Sequence, residues 1–228
     1  PKRLEGRKVA AVACFDSFGK LAMTLLAACR REGAETTLHL LELNNRALSR
    51  RQRLEIRRID PRTRIEKHNW SDLHNLGSPM AGTVDALILG LDGRRSRDAL
   101  LQLHGAWSHS TSRPRLISAY PGILFRFALE GMLDRSGADL LCLNSQQDLA
   151  LYQKGCAALG LDSSNAVVTG LPILWRTHPR TEFPEKPSIV FFEQPSIPVH
   201  PLQRRFVCEQ LGDLSAAWPN HAVIFKKF

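Results

Sequence analysis

"KVAAVACFDSFGKLAMTLLAACRREGAETTLHLLEL", residues 8–43, decides the fold class of this chain. Its first eight residues form a short apolar run of buried-strand type. Phe18, Leu21, Leu25, Leu26 and Cys29 then recur at helical spacing on one face. Gly33 supplies a C-terminal stop for that helix, and "TTLHLLEL" resumes a strand pattern. Strand, short loop, helix, glycine and second strand is the entry to a doubly wound parallel α/β sheet.

The same rhythm continues outward. An Arg-rich helix is expected to stop before Pro61, followed by a short strand at "RIEKH" (residues 64–68). "VDALILGL" (84–91) reads as a buried strand, and "GRRSRDALLQLHGAW" (93–107) as its helix, with Leu100, Leu103 and Trp107 on one side. "RPRLISAYPGI" (113–123) is a further strand ending in Pro121-Gly122. "ADLLCLNSQQDLALYQKGCAALGL" (138–161) gives a strand, Ser145 as N-cap, and a helix expected to carry Leu149, Tyr152, Cys156 and Leu159 inward. "AVVTGLPIL" (166–174) closes the series.

Composition then shifts. "WRTHPRTEFPEKP" (175–187) carries three prolines without periodicity and reads as a linker. "SIVFFEQPSIPVHPLQRRFVCEQLGDLSAAWPNHAVIFKKF" (188–228) is strand, turn, helix and strand, one βαβ. Val190, Phe191 and Phe192 form the core of its first strand, and Val207, Leu211, Leu214 and Trp218 the apolar helix face. The expected organisation is a Rossmann-like domain over residues 1–174, a linker over 175–187, and the first βαβ of a second Rossmann-like domain over 188–228.

The chain has 228 residues, 43% hydrophobic and 23% charged, as soluble globular proteins have. No apolar run approaches the roughly 20 residues that span a bilayer, and "PKRLEGRK" at the start leads into a strand rather than a signal core. Five cysteines, Cys14, Cys29, Cys142, Cys156 and Cys208, lie scattered in apolar patterns. They are expected to be reduced and buried, which places the chain in the cytoplasm. The net charge of +9 concentrates in "NRALSRRQRLEIRRIDPRTR" (45–64). That block suits a solvated surface, anionic lipid headgroups or a phosphorylated substrate. Nucleic acid is not expected, because no aromatic residues interleave the arginines to stack on bases.

In open α/β sheets ligands gather beyond the carboxyl ends of the strands. Four loops there carry candidate residues. In "FDSFGK", Asp16 is the candidate base or hydrogen-bond partner for an acceptor hydroxyl, with Ser17 and Lys20 beside it and Gly19 permitting close approach. Either Asp16 or Ser17 serves equally as a helix cap. Gly122 in "YPGI" brings backbone near a ligand, and Asn144 and Ser145 open a helix suited to an anion or to capping alone. Gly170 in "TGLP" ends the last strand before the linker. In the C-terminal segment Glu193 and Gln194 follow a strand, and Lys226 and Lys227 offer charge to a phosphate. No G-x-G-x-x-G, Walker loop or G-x-S-x-G elbow occurs, and neither H-x-x-x-H nor H-E-x-x-H, so no metal centre is expected.

The run from "ADLLCLNSQQDLALYQKGCAALGL" through "AVVTGLPIL", the Pro-rich linker and "SIVFFEQPSIP…FKKF" resembles the middle of a GT-B glycosyltransferase. The "FDSFGK" start is similar to a family of bacterial surface-polysaccharide glycosyltransferases. The resemblance implies an acceptor-side N-terminal domain and a donor-side second domain. It also implies a nucleotide-sugar donor bound without a metal or other cofactor, and a glycan or lipid-linked acceptor at the inner face of the membrane. The second domain stops after its first βαβ, so the polypeptide is expected to be a fragment or shortened relative, inactive alone. "TGLP" also suits sugar-nucleotide epimerases of the same fold. A non-catalytic Arg-rich module that docks on anionic membrane or a partner chain is the third reading.

Overall fold

The computed structural model describes residues 2–43, 47–122, 129–172, 187–192 and 200–226. The chain divides into two compact units, Pro1–Thr177 and His178–Phe228.

In the first unit, β1 (Lys8–Ala13), β2 (Glu35–Glu42), β3 (Arg64–Asn69), β4 (Ala86–Gly90), β5 (Arg115–Ala119), β6 (Leu140–Leu143) and β7 (Ala166–Val168) form one sheet. Their order is β3-β2-β1-β4-β5-β6-β7, and every pairing is parallel. The chain builds outward from β1 to β3, then returns to the other side of β1 to place β4. The neighbouring carboxyl ends of β1 and β4 are therefore the topological switch point, where crossovers diverge to opposite faces and leave a crevice.

Central strands buried on both faces must be apolar throughout, and β1 is: Val9 to Ala13 are all buried. One face is covered by α1 (Asp16–Arg31) and α2 (Arg50–Ile59), whose Met23, Leu26 and Ile56 pack on Ala11, Leu38 and Leu40. Beneath the opposite face lie α3 (Leu73–Gly77) and α4 (Gly93–Ala106), with Leu73, Leu100, Leu103 and Trp107 against Val12, Leu87 and Leu89. Further along that sheet, α5 (Leu129–Leu133) and α6 (Gln146–Leu159) bring Met132, Tyr152 and Cys156 onto Leu141 and Leu143.

Some expectations need correction. Leu159, read as inward, is 61% exposed at the last turn of α6, where Gly160 (φ 66°) already turns the chain away. Gly19 does not admit a ligand. A Cβ there would stand 2.6 Å from Ile56 Cδ1, so its bare backbone is what lets α2 lie close on α1. Cys14, Cys142 and Cys156 are buried, but Cys29 is half-buried and Cys208 exposed.

The Arg-rich block gives α2, which Ser49 starts with a reciprocal capping box to Gln52. Ile56 is its buried residue, while Arg50, Arg51, Arg57 and Arg58 point to solvent. Arg50, Arg53 and Arg57 line a cavity of about 240 Å³ with Lys67.

The second unit holds β8 (Ser188–Phe192), α7 (Pro201–Ala217) and β9 (Ala222–Lys226), with β8 and β9 parallel. Phe191 and Phe225 are register partners whose rings stack at 5.6 Å. Among the described residues no helix is long and apolar enough to cross a membrane.

Candidate functional site

The switch point is built around an unusual backbone. Phe15, the residue between β1 and α1, has φ 62° and ψ 162°. A side chain at such angles clashes with its own backbone, so the region belongs almost wholly to glycine and costs about 1–3 kcal/mol to occupy. The surroundings hold it there. Phe15 O accepts from Gly19 N at 2.9 Å, closing the first helical turn, and Arg95 of α4 lays its guanidinium 4.9 Å from the Phe15 ring centroid. Arg95 is itself paired with Asp92, the N-cap of α4. The loops after β1 and β4 are thereby tied together.

That conformation makes Asp16 the first residue of α1 proper. The cap position belongs to Phe15 and makes no side-chain cap hydrogen bond, so neither Asp16 nor Ser17 caps the helix. Asp16 instead accepts from Lys20 Nζ through Oδ2 at 2.7 Å, and the same ammonium donates to Glu55 Oε2 of α2 at 2.8 Å. Asp16 Oδ1 is buried without a hydrogen-bond partner. Burial works against the Lys20 charge, but its bonds to Asp16 and Glu55 outweigh that and raise its pKa. The Lys20 ammonium, together with Arg51, holds the Glu55 carboxyl below the usual range.

Asp16, Ser17, Lys20, Thr24, Glu55 and Pro121 line one cavity of about 610 Å³. The two carboxylates are balanced by two cations, the Lys20 ammonium between them and Arg51, whose Nε bonds Glu55 Oε1 at 3.1 Å from outside the cavity. Its carboxylate oxygens can accept hydrogen bonds from hydroxyl groups.

The neighbouring loops are braced rather than open. Asn144 Nδ2 donates to Gly122 O at 2.6 Å, joining the ends of β5 and β6. Ser145 caps α6, accepting from Asp148 N at 3.1 Å. Gly170 adopts a left-handed φ of 74° directly after Thr169, whose amide bonds Leu143 O.

Arg135 is the strongest brace, and nothing in the sequence pattern singled it out. It is 1% exposed, donates through Nη2 to Leu91 O at 2.6 Å and through Nη1 to Gly131 O and Tyr120 OH. Its guanidinium also lies 4.2 Å from the Tyr120 ring centroid. Burial lowers the Arg135 pKa, and burial likewise pushes the Tyr120 hydroxyl up to about 12. Gly93 permits this close packing, since a Cβ there would meet Gly131 Cα at 2.7 Å.

The sequence reading thus located Asp16, Ser17 and Lys20, which the fold brings together, and missed Glu55, Asp92, Arg95, Tyr120 and Arg135. Glu55 had a usable signal, being the sole carboxylate within α2. Lys226 lies in β9, with its side chain outside what is described, and Glu193, Gln194 and Lys227 fall outside the described residues.

Comparison with known proteins adds the family. No curated protein sequence matches the chain. The fold is shared with a putative UDP-N-acetylglucosamine 2-epimerase from Listeria monocytogenes, at 16% identity and a TM-score of 0.61 over 96% of this chain and 62% of that one. It is shared also with LpCGTa in complex with UDP, at 13% identity and a TM-score of 0.56, over 96% of this chain and 70% of that one. The lipopolysaccharide outer core galactosyltransferase WaaB matches at 11% identity and a TM-score of 0.51, over 97% of this chain and 68% of that one. These identities speak for the fold alone. A family model covers residues 9–227, and by that match the chain belongs to the family described as "Putative glycosyltransferase (DUF6716)".

Proposed function

We propose that this chain contributes to glycosyl transfer of the GT-B type, from a nucleotide-activated sugar to a hydroxyl of a glycan or lipid-linked acceptor of the cell envelope. The observation that carries the acceptor side is the Asp16 carboxylate, which lines the switch-point cavity with Oδ2 held by Lys20 and Oδ1 buried behind it. A carboxylate oxygen offers more than one acceptor position, so Oδ2 can take a hydrogen bond from an acceptor hydroxyl while Lys20 holds it. In that position Asp16 orients the hydroxyl and takes its proton as the hydroxyl oxygen bonds the anomeric carbon and the bond from that carbon to the donor phosphate oxygen breaks, the nucleotide leaving with the electron pair. Lys20 keeps the carboxylate in place, and the strained Phe15 backbone aims it.

On this reading residues 1–174 are the acceptor side and residues 188–228 belong to the donor side, with Lys226 a phosphate contact and Glu193 and Gln194 beside the donor. Ser17, Gly122, Ser145 and Gly170 border the acceptor. The donor is a nucleotide sugar held without a metal, and the exposed arginines of α2 face the anionic inner leaflet that presents the acceptor.

Asp16→Asn tests the proposal, since it preserves shape and removes basicity. In a form of the enzyme that turns over a nucleotide sugar and an acceptor, turnover is expected to fall at least about a hundredfold with an unchanged melting temperature. Normal turnover in this variant removes Asp16 from the chemistry. The epimerase sharing the fold supports a second reading, in which a nucleotide sugar is converted with no acceptor present. Product formed from donor alone would favour it.

A further inference from the structure

The polar edge of the sheet carries a second constellation, remote in sequence from the switch-point loops. His39 on β2 is in register with Glu66 on β3, and His68 follows two residues on. Side chains two apart on a strand share a face, so all three project from the same side of the β2–β3 pair. His39 Nδ1 lies 3.1 Å from His68 Nε2 and 3.3 Å from Glu66 Oε2, and His68 Nε2 lies 3.4 Å from that same Oε2.

One nitrogen, one nitrogen and one oxygen thus mark a nearly equilateral triangle. Ligand atoms held about 2.0–2.1 Å from a tetrahedral Zn²⁺ stand roughly 3.3–3.4 Å from one another. A single hydrogen on one ring satisfies one of the three contacts, whereas a central cation satisfies all of them. The other carboxylate oxygen, Oε1, is taken by Arg64 Nε at 2.7 Å. Such an outer contact fixes a carboxylate for coordination through its remaining oxygen. His39 and Glu66 also line a cavity of about 260 Å³ with Lys8, Glu35 and Thr37, which gives water access to a fourth position.

We infer that His39, Glu66 and His68 form a binding site for a zinc-class divalent ion that ties the edge strand β3 to β2. Two imidazoles and one carboxylate suit Zn²⁺ and its neighbours in the first transition row rather than Mg²⁺ or Ca²⁺, which prefer all-oxygen shells. The site has a structural use. β3 reads Arg-Ile-Glu-Lys-His-Asn and among the described residues pairs on one side alone, so it buries little apolar surface, and an ion bridging it to β2 replaces packing with coordination.

Chelator-treated protein titrated with Zn²⁺ by calorimetry is expected to take up one equivalent, and its melting temperature to rise with Zn²⁺ concentration. Co²⁺ is expected to give the intense visible absorption of a tetrahedral site. His68→Ala and Glu66→Gln should each weaken uptake at least about tenfold, while His109→Ala, at an exposed position in another loop, leaves it unchanged. The Co²⁺ spectrum of the unaltered protein reads the ligand set directly, so a variant that folds poorly does not decide the matter. No uptake at micromolar metal, or uptake indifferent to both His68→Ala and Glu66→Gln, overturns the site.

Discussion

Two strand–helix–strand units in this chain look alike on paper and differ in what they bury. In β1–α1–β2 the helix buries Gly19, Leu21, Ala22, Met23, Thr24 and Leu26. In β8–α7–β9 the helix buries none of its residues. The local pattern is sound in both: Val207, Leu211 and Leu214 of α7 are half-buried at helical spacing. What differs is the company. β1 is hydrogen-bonded by β2 and β4 on its two sides, whereas among the described residues β8 pairs with β9 alone. Leu202, Phe206, Trp218, Ile224 and Phe225 stay exposed. Amphipathic periodicity selects the element, but neighbouring strands and helices supply the burial that stabilises it.

The largest consequence concerns local opening. Amides in β1 and β4, central in a seven-stranded sheet, are expected to exchange only through near-global unfolding, while those of the two-stranded β8–β9 pair open at lower cost. Hydrogen exchange is expected to be at least about a hundredfold slower in β1 and β4 than in β8 and β9. Equal protection would mean that another surface covers the second unit in solution, and the contrast would then belong to the isolated chain.

Truncating equivalent leucines sharpens the same contrast. Leu26 in α1 is 0% exposed and Leu202 in α7 is 68% exposed. Leu26→Ala removes buried methyl groups and leaves a cavity, at a cost of about 2–5 kcal/mol. Leu202→Ala should change stability by less than about 0.5 kcal/mol. Chemical denaturation of both variants measures the difference.

The reach of sequence reading follows from this. Strands such as "VDALILGL" and the helix face of Phe18, Leu21, Leu25 and Leu26 were legible because their periods are local, and the Asp16–Ser17–Lys20 loop because its position after β1 follows from them. Arg135 was not, since its partners Leu91, Tyr120 and Gly131 come from three separate segments. His39, Glu66 and His68 escaped for a related reason. Helical motif spacings cannot report ligands that meet only through the register of β2 on β3.

Charge pairs separate the units next. In the first, Arg113 grips Asp139 through two hydrogen bonds of 2.6 and 2.8 Å, and Leu116 N donates to the same carboxylate at 2.7 Å. The Arg113 bonds and, more weakly, the Leu116 amide depress the Asp139 pKa against the effect of burial. In the second, Arg205 and Glu209 pair in the open on one face of α7. Asp139→Asn should cost about 1–2 kcal/mol at neutral pH, and Glu209→Gln less than about 0.5 kcal/mol. The sign with pH follows from the depressed value. Asp139 contributes fully above its unfolded pKa, near 3.8, and the contribution fades as pH falls through the lower folded one. The stability gap between the unaltered protein and Asp139→Asn should therefore begin to narrow below about pH 4 and close only once pH lies below the lower folded value. A gap that persists at acid pH would show that the asparagine disturbs packing instead.

The smallest effect separates capping from recognition at the start of α6. Ser145 Oγ accepts from Asp148 N at 3.1 Å and donates to Asp148 Oδ2 at 2.8 Å, so one hydroxyl fills both a cap and a side-chain bond. In the second unit His200 Nδ1 makes the corresponding contact to Leu202 N at 3.3 Å, at an exposed helix start. Ser145→Ala should cost about 0.5–2 kcal/mol, because the first turn of a packed helix loses a partner for a backbone donor. Ser145→Asn keeps an oxygen in the cap position and should restore most of that loss. His200→Ala should cost less than Ser145→Ala, since water reaches the exposed amide it leaves behind. Melting temperature and turnover measured together then assign Ser145. If the asparagine variant recovers both, the hydroxyl only caps α6. Recovered stability with turnover still depressed would mean that substrate meets the hydroxyl itself, beside the Gly122 carbonyl that Asn144 already holds in place.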